Sequence, residues 1–380
     1  MGVNLFTDEI RQNPYPAYEE LRRSAPVFCD RRSGVWFVSR YHDVRRVMTD
    51  PASFSNKNTS AETTLLGADL EAHGRVRNVV KHAFTAARIK ALDESIHALA
   101  DDLVARGAAR ATCEIIGEIA LPLPLTIVAW MLGIDQARLP DMRRWSQAIL
   151  LHGTRGYSGQ EAEHPEVAAC RRFLAEHMEW AKHKPCGGWV TDLLVARGAA
   201  DCLTSAEMAD IGFLLIVAGT ETTTNLIGNA TMLLAADRQR QARLRGDPQL
   251  IGLFVEEVLR FESPVQRRPR FAALPVEIGG MLIPEKSRVD VLIGSANRDR
   301  EKFSDADKFD LDRRPNEHVA FGAGPHFCLG AHLARLETIS VLSAMLQRSA
   351  DISLIAPQES VPYAASFSVR GPQRMLLTFG

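Results

Sequence analysis

The run HVAFGAGPHFCLGAHLAR, His318 to Arg335, sets one cysteine among glycines, with histidines on both sides and a helix-like stretch directly after it. Gly322, Gly324 and Gly330 let the backbone turn tightly and approach a partner closely, and Pro325 stiffens the loop. A flat ligand would fit against such a surface. Because LGAHLARLETISVLSAML reads as a helix, Cys328 stands where backbone N–H groups and the helix dipole favour an anion, which lowers the thiol pKa. A thiolate in that position is a natural metal ligand. Three other readings stay open on the residues alone. One is a buried, inert cysteine in a turn. Another is a zinc site from His318, His326, Cys328 and His332, although the spacing matches no common zinc pattern. The third is a catalytic nucleophile, for which the sequence identifies neither base nor oxyanion site.

Two further runs carry chemistry. EEVLR places Glu257 and Arg260 on one helical face, where they can form a charge-assisted pair; a solvated surface pair of the same spacing would be worth little. In the run AGTETTT, Ala218 to Thr224, a glycine, a carboxylate and four threonines interrupt an otherwise apolar helix. Such local conflict often marks function.

The elements that must position these residues are mostly helical. Apolar residues recur at three- and four-residue spacing in YPAYEELRR, DVRRVMTD, EVAACRRFLAEHMEWAKH and PQLIGLFVEEVLRFE, and through one long run from His73 to Ala108. The central helix LTSAEMADIGFLLIVAGTETTTNLIGNATMLLAAD opens with a capping box, Thr204 and Glu207, and extends about thirty residues, roughly 45 Å. Strand signals are few: GVWFVSR, VEIGGMLIP with a Gly-Gly turn, RVDVLIG and RMLLTF. They predict small sheets, one of them begun early in the chain and completed late. Glycine and proline mark loops at His152–Glu166 and Lys184–Trp189.

The 380 residues, 46% apolar and 24% charged, describe an ordinary globular protein, and no linker or repeat divides them, so residues 1–380 are expected to form a single domain. Lysine plus arginine, 45, balances 46 acidic residues, which leaves no global field for nucleic acid or an anionic membrane. The amino terminus has no signal-peptide core, and Phe213–Ala218, the longest apolar run near the middle, is far below the ~20 residues of a span. A cytoplasmic protein without membrane or nucleic-acid partners is expected. Six cysteines without CxxC pairing, in a chain this long, are not a disulfide framework.

Phe321-x-x-Gly324-x-x-x-Cys328-x-Gly330 resembles the haem-binding signature of the cytochrome P-450 superfamily, whose cysteine is the axial thiolate on haem iron. Glu257-x-x-Arg260 is similar to the family's K-helix pair, NRDREKFSDADKFDLDRRPNEHVAFG to its meander, and AGTETT to its distal oxygen-activation motif. The resemblance to the soluble bacterial members runs from NPYPAYEELR to the last strand. It implies a mainly α cytochrome P-450 fold with small β-sheets, haem b as cofactor and Cys328 as metal ligand. Arg313 would complete a structural Glu257–Arg260–Arg313 cluster. His73, Arg77, Arg270 and His326 would anchor the propionates, with Ala218, Gly219, Phe321, Gly324 and Gly330 against the haem. Asp69-Leu70-Glu71-Ala72-His73 departs from the family's frequent Asp-Pro-Pro-Glu-His, so the approach to His73 is shaped differently.

The resemblance further implies monooxygenation, with one oxygen atom entering a C–H bond or double bond. Glu221 and Thr222, at an expected helix distortion near Gly219, would relay protons. Leu214, Val217, Gln266, Arg267, Arg268, Phe367 and Ser368 are the expected pocket residues. Arg267 or Arg268 would meet an anionic or strongly polar end of a small-molecule substrate, and the segment from Phe54 to His73, short for the family, would leave room for a carrier protein. The chain ends at Gly380 without a reductase module, so electrons are expected from NAD(P)H through a separate ferredoxin or flavodoxin and its reductase. A peroxygenase or oxidative-coupling enzyme within the superfamily, and a haem-thiolate sensor outside catalysis, are the rival readings.

Overall fold

The computed structural model describes residues 5–57, 65–153, 164–184, 186–198, 203–364 and 366–380. Most of the loop expected at His152–Glu166, Pro185, Cys202 and part of the Phe54–His73 segment lie outside those residues. The chain divides into two compact units, one of residues 1–56, 97–120 and 224–380, the other of residues 57–96 and 121–223.

The first unit is built on a five-stranded sheet whose order is Val27–Cys29, Trp36–Val38, Arg288–Leu292, Arg267–Ala272, Phe54–Ser55. Trp36–Val38 runs parallel to Arg288–Leu292, and the other neighbours are antiparallel. The expected sheet, begun early and completed late, is therefore present. The strand Arg267–Ala272 was not foreseen, because three arginines and Pro269 do not alternate like a strand. Proline is tolerated there because Phe54–Ser55 pairs only with Ala272 and Phe271, leaving the strand one-sided at Pro269. Beneath the sheet Val38, Val44, Ile278, Val289 and Val291 are fully buried, each worth about 1.5–3 kcal/mol of removal from water. The Gly-Gly hairpin Val276–Ile278/Met281–Ile283 forms as expected.

Within the same unit, a buried charged knot ties three distant segments together. Glu262, just past the helix Leu250–Phe261, accepts from Arg298, from Arg370 and from the Tyr15 hydroxyl at 3.2, 2.9 and 2.9 Å. Burial, and then the Glu262 charge, hold the Tyr15 hydroxyl well above its usual range, so it remains a donor. The segment Pro264–Arg267 is stitched to the C-terminal stretch, with Gln266 N donating to Ser368 O at 2.9 Å and Arg370 N to Pro264 O at 2.8 Å.

The second unit is helical, and two of its helices, Asp93–Ala108 and Ser205–Ala235, have residues in both units. The long run expected from His73 onwards is broken into Leu70–Val80, a 3-10 turn Lys81–Phe84, Ala86–Ala91 and Asp93–Ala108. Thr85 ends the first part and caps the next, its hydroxyl accepting from the Arg88 N–H. Pro122–Leu132 is buried over most of its surface. The helix Ser205–Ala235 begins with the expected capping box, Glu207 Oε2 accepting from Thr204 N at 2.8 Å and Thr204 Oγ1 from Glu207 N at 3.1 Å. It is long and apolar enough to cross a membrane, but 67% of its most apolar window is buried inside the protein, as in a core helix.

Candidate functional site

Among the described residues the cysteines are free. Burial pushes the Cys113 thiol up to about 11 and Cys170 up to about 12, so both are inert packing groups. Cys328 differs by being exposed, which removes the buried-thiol reading. It stands three residues before the helix Ala331–Arg348, whose N-cap is Gly330. Gly322 and Gly324 have φ of +76° and +71°, a region that favours glycine. A Cβ on Gly324 would also lie 2.8 Å from Met48 O. The loop is therefore threaded where only glycine fits. Its closing bond is Cys328 N–H to Phe321 O at 3.0 Å, which directs the following residues into the helix.

Behind the loop lies the helix Leu250–Phe261. Arg260, with no exposed surface, grips Glu257 through two bonds of 2.8 and 2.7 Å and donates to the carbonyls of Asn297, Ala306 and Lys308. Arg313 Nε reaches Glu257 Oε1 at 3.2 Å, and its other nitrogens reach the carbonyls of Ser304 and Asp305. Glu257 also accepts from Asp310 N at 2.8 Å and Asn316 Nδ2 at 3.1 Å. The expected cluster is thus buried and structural: it converts the irregular stretch 297–316 into a fixed surface. A buried carboxylate tolerates this only because its lone pairs are satisfied.

Sequence reasoning missed the neighbouring residue. Glu256 accepts from Arg335 Nε and Nη2 at 2.5 and 2.8 Å, and from His318 Nε2 at 3.2 Å. Burial would raise this carboxyl, but the hydrogen bonds from Arg335 and His318 outweigh it and hold it at about 2. His318 Nδ1 accepts from Ala320 N at 3.3 Å, so both ring nitrogens are engaged and neither is available to a zinc ion. The signal was present, since Glu256, His318 and Arg335 all lie in the runs EEVLR and HVAFGAGPHFCLGAHLAR, but nothing in the spacing joins them.

Arg270 is buried, with Nη1 on Pro269 O at 2.8 Å, and His326, two residues before Cys328, is half-buried. The strand register puts Arg268 and Arg270 on one face, with Val291 and Val289, and Arg267 on the other. There Arg267 Nη1 meets the buried Asp290 at 2.9 Å, a carboxylate it shares with Arg288. Of the two arginines expected to meet a substrate acid, Arg267 is thus already paired: alternation along the strand turns its guanidinium to a protein carboxylate. Gln266, buried against Gly294, donates to Ser263 O at 2.8 Å. Phe367 packs edge-on to Phe6 and beneath Arg11. Gln266, Arg267 and Phe367 line a small cavity together with Phe6, Ile10 and Arg11. Ser368 is half-buried and accepts the Gln266 N–H through its carbonyl.

In the second unit, His73 is buried, and burial, then the charge on Arg77 one turn away, push its imidazole toward the neutral form. The helix Ser205–Ala235 is uninterrupted, so the distortion expected near Gly219 is absent. The Thr222 hydroxyl instead donates to Ala218 O at 2.6 Å, which satisfies it without opening the helix. Leu215, Ala218, Gly219 and Thr222 form a half-buried stripe at helical spacing, with Val217 and Glu221 at its edges, in a helix whose other residues are mostly buried. Leu214 is 8% exposed and belongs to the packed side.

An exposed thiol on a rigid loop, with no group of three or more His, Cys, Asp or Glu placed to hold a metal among the described residues, suits a metal that brings its other ligands with it. The iron of a haem is such a metal, and thiolate is among its axial ligands. The residues present fit the group. The supporting frame makes a graded prediction. Glu257→Leu should strand Arg260 and Arg313 and cost about 3–5 kcal/mol, whereas Asn316→Ala, losing one bond to a carboxylate, should cost roughly 1.5–3 kcal/mol. Urea unfolding of the haem-loaded protein measures both, and equal losses would contradict the frame.

A family model described as Cytochrome P450 matches residues 189–350. Cytochrome P450 107B1 of Saccharopolyspora erythraea is 35% identical over 97% of this chain and 96% of its own. The solved structure of cytochrome P450 CYP109Q5 from Chondromyces apiculatus superposes with a TM-score of 0.89 at 34% identity, covering 99% of this chain and 98% of its own. P450BioI, solved with an acyl carrier protein bearing hexadec-9Z-enoic acid, gives 0.91 at 28% identity over 98% and 99%. With similarity over nearly the whole chain at this level, and the Cys328 loop and its glutamate frame in place, the chain belongs to the cytochrome P450 family and is a haem-dependent monooxygenase.

Proposed function

We propose that residues 1–380 act as one catalytic domain in which Cys328 would hold the iron of haem b, and His73, Arg77, Arg270 and His326 would meet its propionates. The observation that carries this reading is the exposed Cys328 thiol on a loop held by Gly322, Gly324 and the Glu257–Arg260–Arg313 knot. When bound, haem supplies dioxygen activation, and its thiolate ligand favours O–O cleavage by donating electron density. Ala218, a small side chain in the half-buried stripe, would let a planar ligand approach the helix beside Gly219, which packs against Val128, and Leu215 and Val217 offer apolar surface to a substrate.

Proton handling falls to the same helix. The Thr222 proton is committed to Ala218 O, so the lone pairs on Oγ1 accept from a water and hold its remaining proton in a fixed direction. Glu221, half-buried at the preceding position, is the acid that replenishes such a water. Electrons come from NAD(P)H through a separate ferredoxin or flavodoxin and its reductase, in the cytoplasm. The substrate is a small molecule with an apolar body. Its anionic or polar end is assigned to Arg268, because Arg267 is held by Asp290 while Arg268 shares the face of Arg270. The carrier-bound fatty acyl group of P450BioI supports a second form of that substrate, one tethered to a carrier protein.

Reconstitution with a ferredoxin system should give substrate-dependent NAD(P)H consumption, with label from dioxygen in the product. Thr222→Ala should keep haem and substrate binding but divert reducing equivalents to peroxide, Thr222→Ser should restore coupling, and Glu221→Gln should slow turnover. Unchanged coupling in Thr222→Ala would refute the assignment. For the substrate end, matched acid and methyl-ester ligands should shift the haem spectrum with different affinities, and Arg268→Ala should abolish the preference. Equal affinities in wild type and variant would remove Arg268 from the pocket.

A further inference from the structure

Glu256 touches neither the thiol nor any residue given a role above, yet two chains of contacts lead from its carboxylate to the same place. Along the first, Glu256 fixes both nitrogens of Arg335, and the guanidinium lies over the Phe321 ring at 4.5 Å. Along the second, Glu256 accepts from His318 Nε2, and His318 Nδ1 in turn accepts the N–H of Ala320, the residue before Phe321. That pair of bonds assigns the imidazole tautomer, with the proton on Nε2. The first chain ends on Phe321 and the second on the residue bonded to it, and the Phe321 carbonyl accepts the Cys328 N–H at 3.0 Å.

His318 precedes the glycine loop and Arg335 follows the thiol by seven residues, in the first turns of the helix, so one carboxylate closes the segment 318–335 from its two ends. The segment between them contains no strand and only the short 3-10 turn Gly324–His326 before the helix begins. Its glycines make it permissive, and permissive backbone holds a ligand atom in place only when something outside it sets its ends. Glu256 sits on the rigid helix Leu250–Phe261 and does this from outside the loop. The side chain is partly buried, at 28% exposure, and charge-assisted bonds at such a site are stronger than at the open surface.

We infer that Glu256 is a positioning residue for thiolate ligation: through Arg335 and His318 it sets Phe321, and through the Phe321 carbonyl the direction in which Cys328 presents its sulfur. Removing the carboxylate leaves the fold able to form, since Glu257 carries the structural knot, but it lets the thiol loop relax. The inference rests on Cys328 being the haem ligand. If the wild-type ferrous carbonyl complex lacks the red-shifted Soret band that a trans thiolate produces, that reading fails and not the role of Glu256.

The test follows the carbonyl complex of the holoenzyme with time in mild guanidinium, and measures the conversion of the red-shifted band to the unshifted one. Glu256→Gln should accelerate this conversion about tenfold or more, and Glu256→Asp should restore part of the difference. Gln241→Ala is the control. It removes a buried amide bonded to Leu234 O and Ile352 O, remote from the loop, and lowers thermal stability without touching residues 318–335. At matched loss of melting temperature Gln241→Ala should leave the conversion within about twofold of wild type. If Glu256→Gln does not accumulate with haem, Arg335→Lys, which keeps the charge and loses the fork over Phe321, is read in the same assay and should also accelerate conversion. Conversion no faster in the Glu256 or Arg335 variant than in Gln241→Ala at equal stability would overturn the inference.

Discussion

Two adjacent carboxylates on one helix, Glu256 and Glu257, hold what surrounds Cys328. A thiolate that is to meet a metal must be open on one side, and the backbone that exposes it has little regular hydrogen bonding of its own. The rigidity has to come from elsewhere. Here it comes from the helix Leu250–Phe261, whose consecutive glutamates point to different partners: Glu257 to Arg260, Arg313, Asn316 and the Asp310 N–H, Glu256 to His318 and Arg335. The first set fixes the irregular chain leading to the loop. The second fixes the ends of the loop itself.

The energetics explain why charge is used. Burying Arg260 with no exposed surface would be prohibitive for an unpaired cation, and even a paired one gains little over an apolar core of the same shape. Charged groups do something apolar packing does not, because each bond has a direction. Arg260 specifies three carbonyls that belong to no strand or helix and would otherwise be satisfied by water in many arrangements. The same logic recurs at Glu262, which joins Tyr15, Arg298 and Arg370 and thereby ties an early helix to the C-terminal stretch beside Arg267 and Ser368.

Much of this was legible in the sequence, and the pattern of what was missed is physical. Cys328, the glycines and the pair Glu257/Arg260 could be read because their chemistry is local: a turn, a helix start and a three-residue spacing. The capping box of Thr204 and Glu207 was readable for the same reason. The strand Arg267–Ala272 was not, since its three arginines satisfy partners on two faces of the sheet, and sequence distance hides both Asp290 and the opposing valines. The same blindness hid that Arg267, one of the two arginines offered to a substrate acid, is paired with Asp290. Glu256 was passed over although it adjoins a recognised residue, because its partners lie 62 and 79 positions away. The helix distortion at Gly219 was expected from composition, and the Thr222 back-bond removed the need for it.

The central claim is that Cys328 ligates haem iron as a thiolate, and the difference spectrum of the reduced carbonyl complex tests it most directly. Wild-type protein should show the red-shifted Soret band, Cys328→His should retain haem with the unshifted band, and substitution of Cys29, Cys113, Cys170 or Cys186 should leave the band in place. A red-shifted band that survives in Cys328→His would contradict the account.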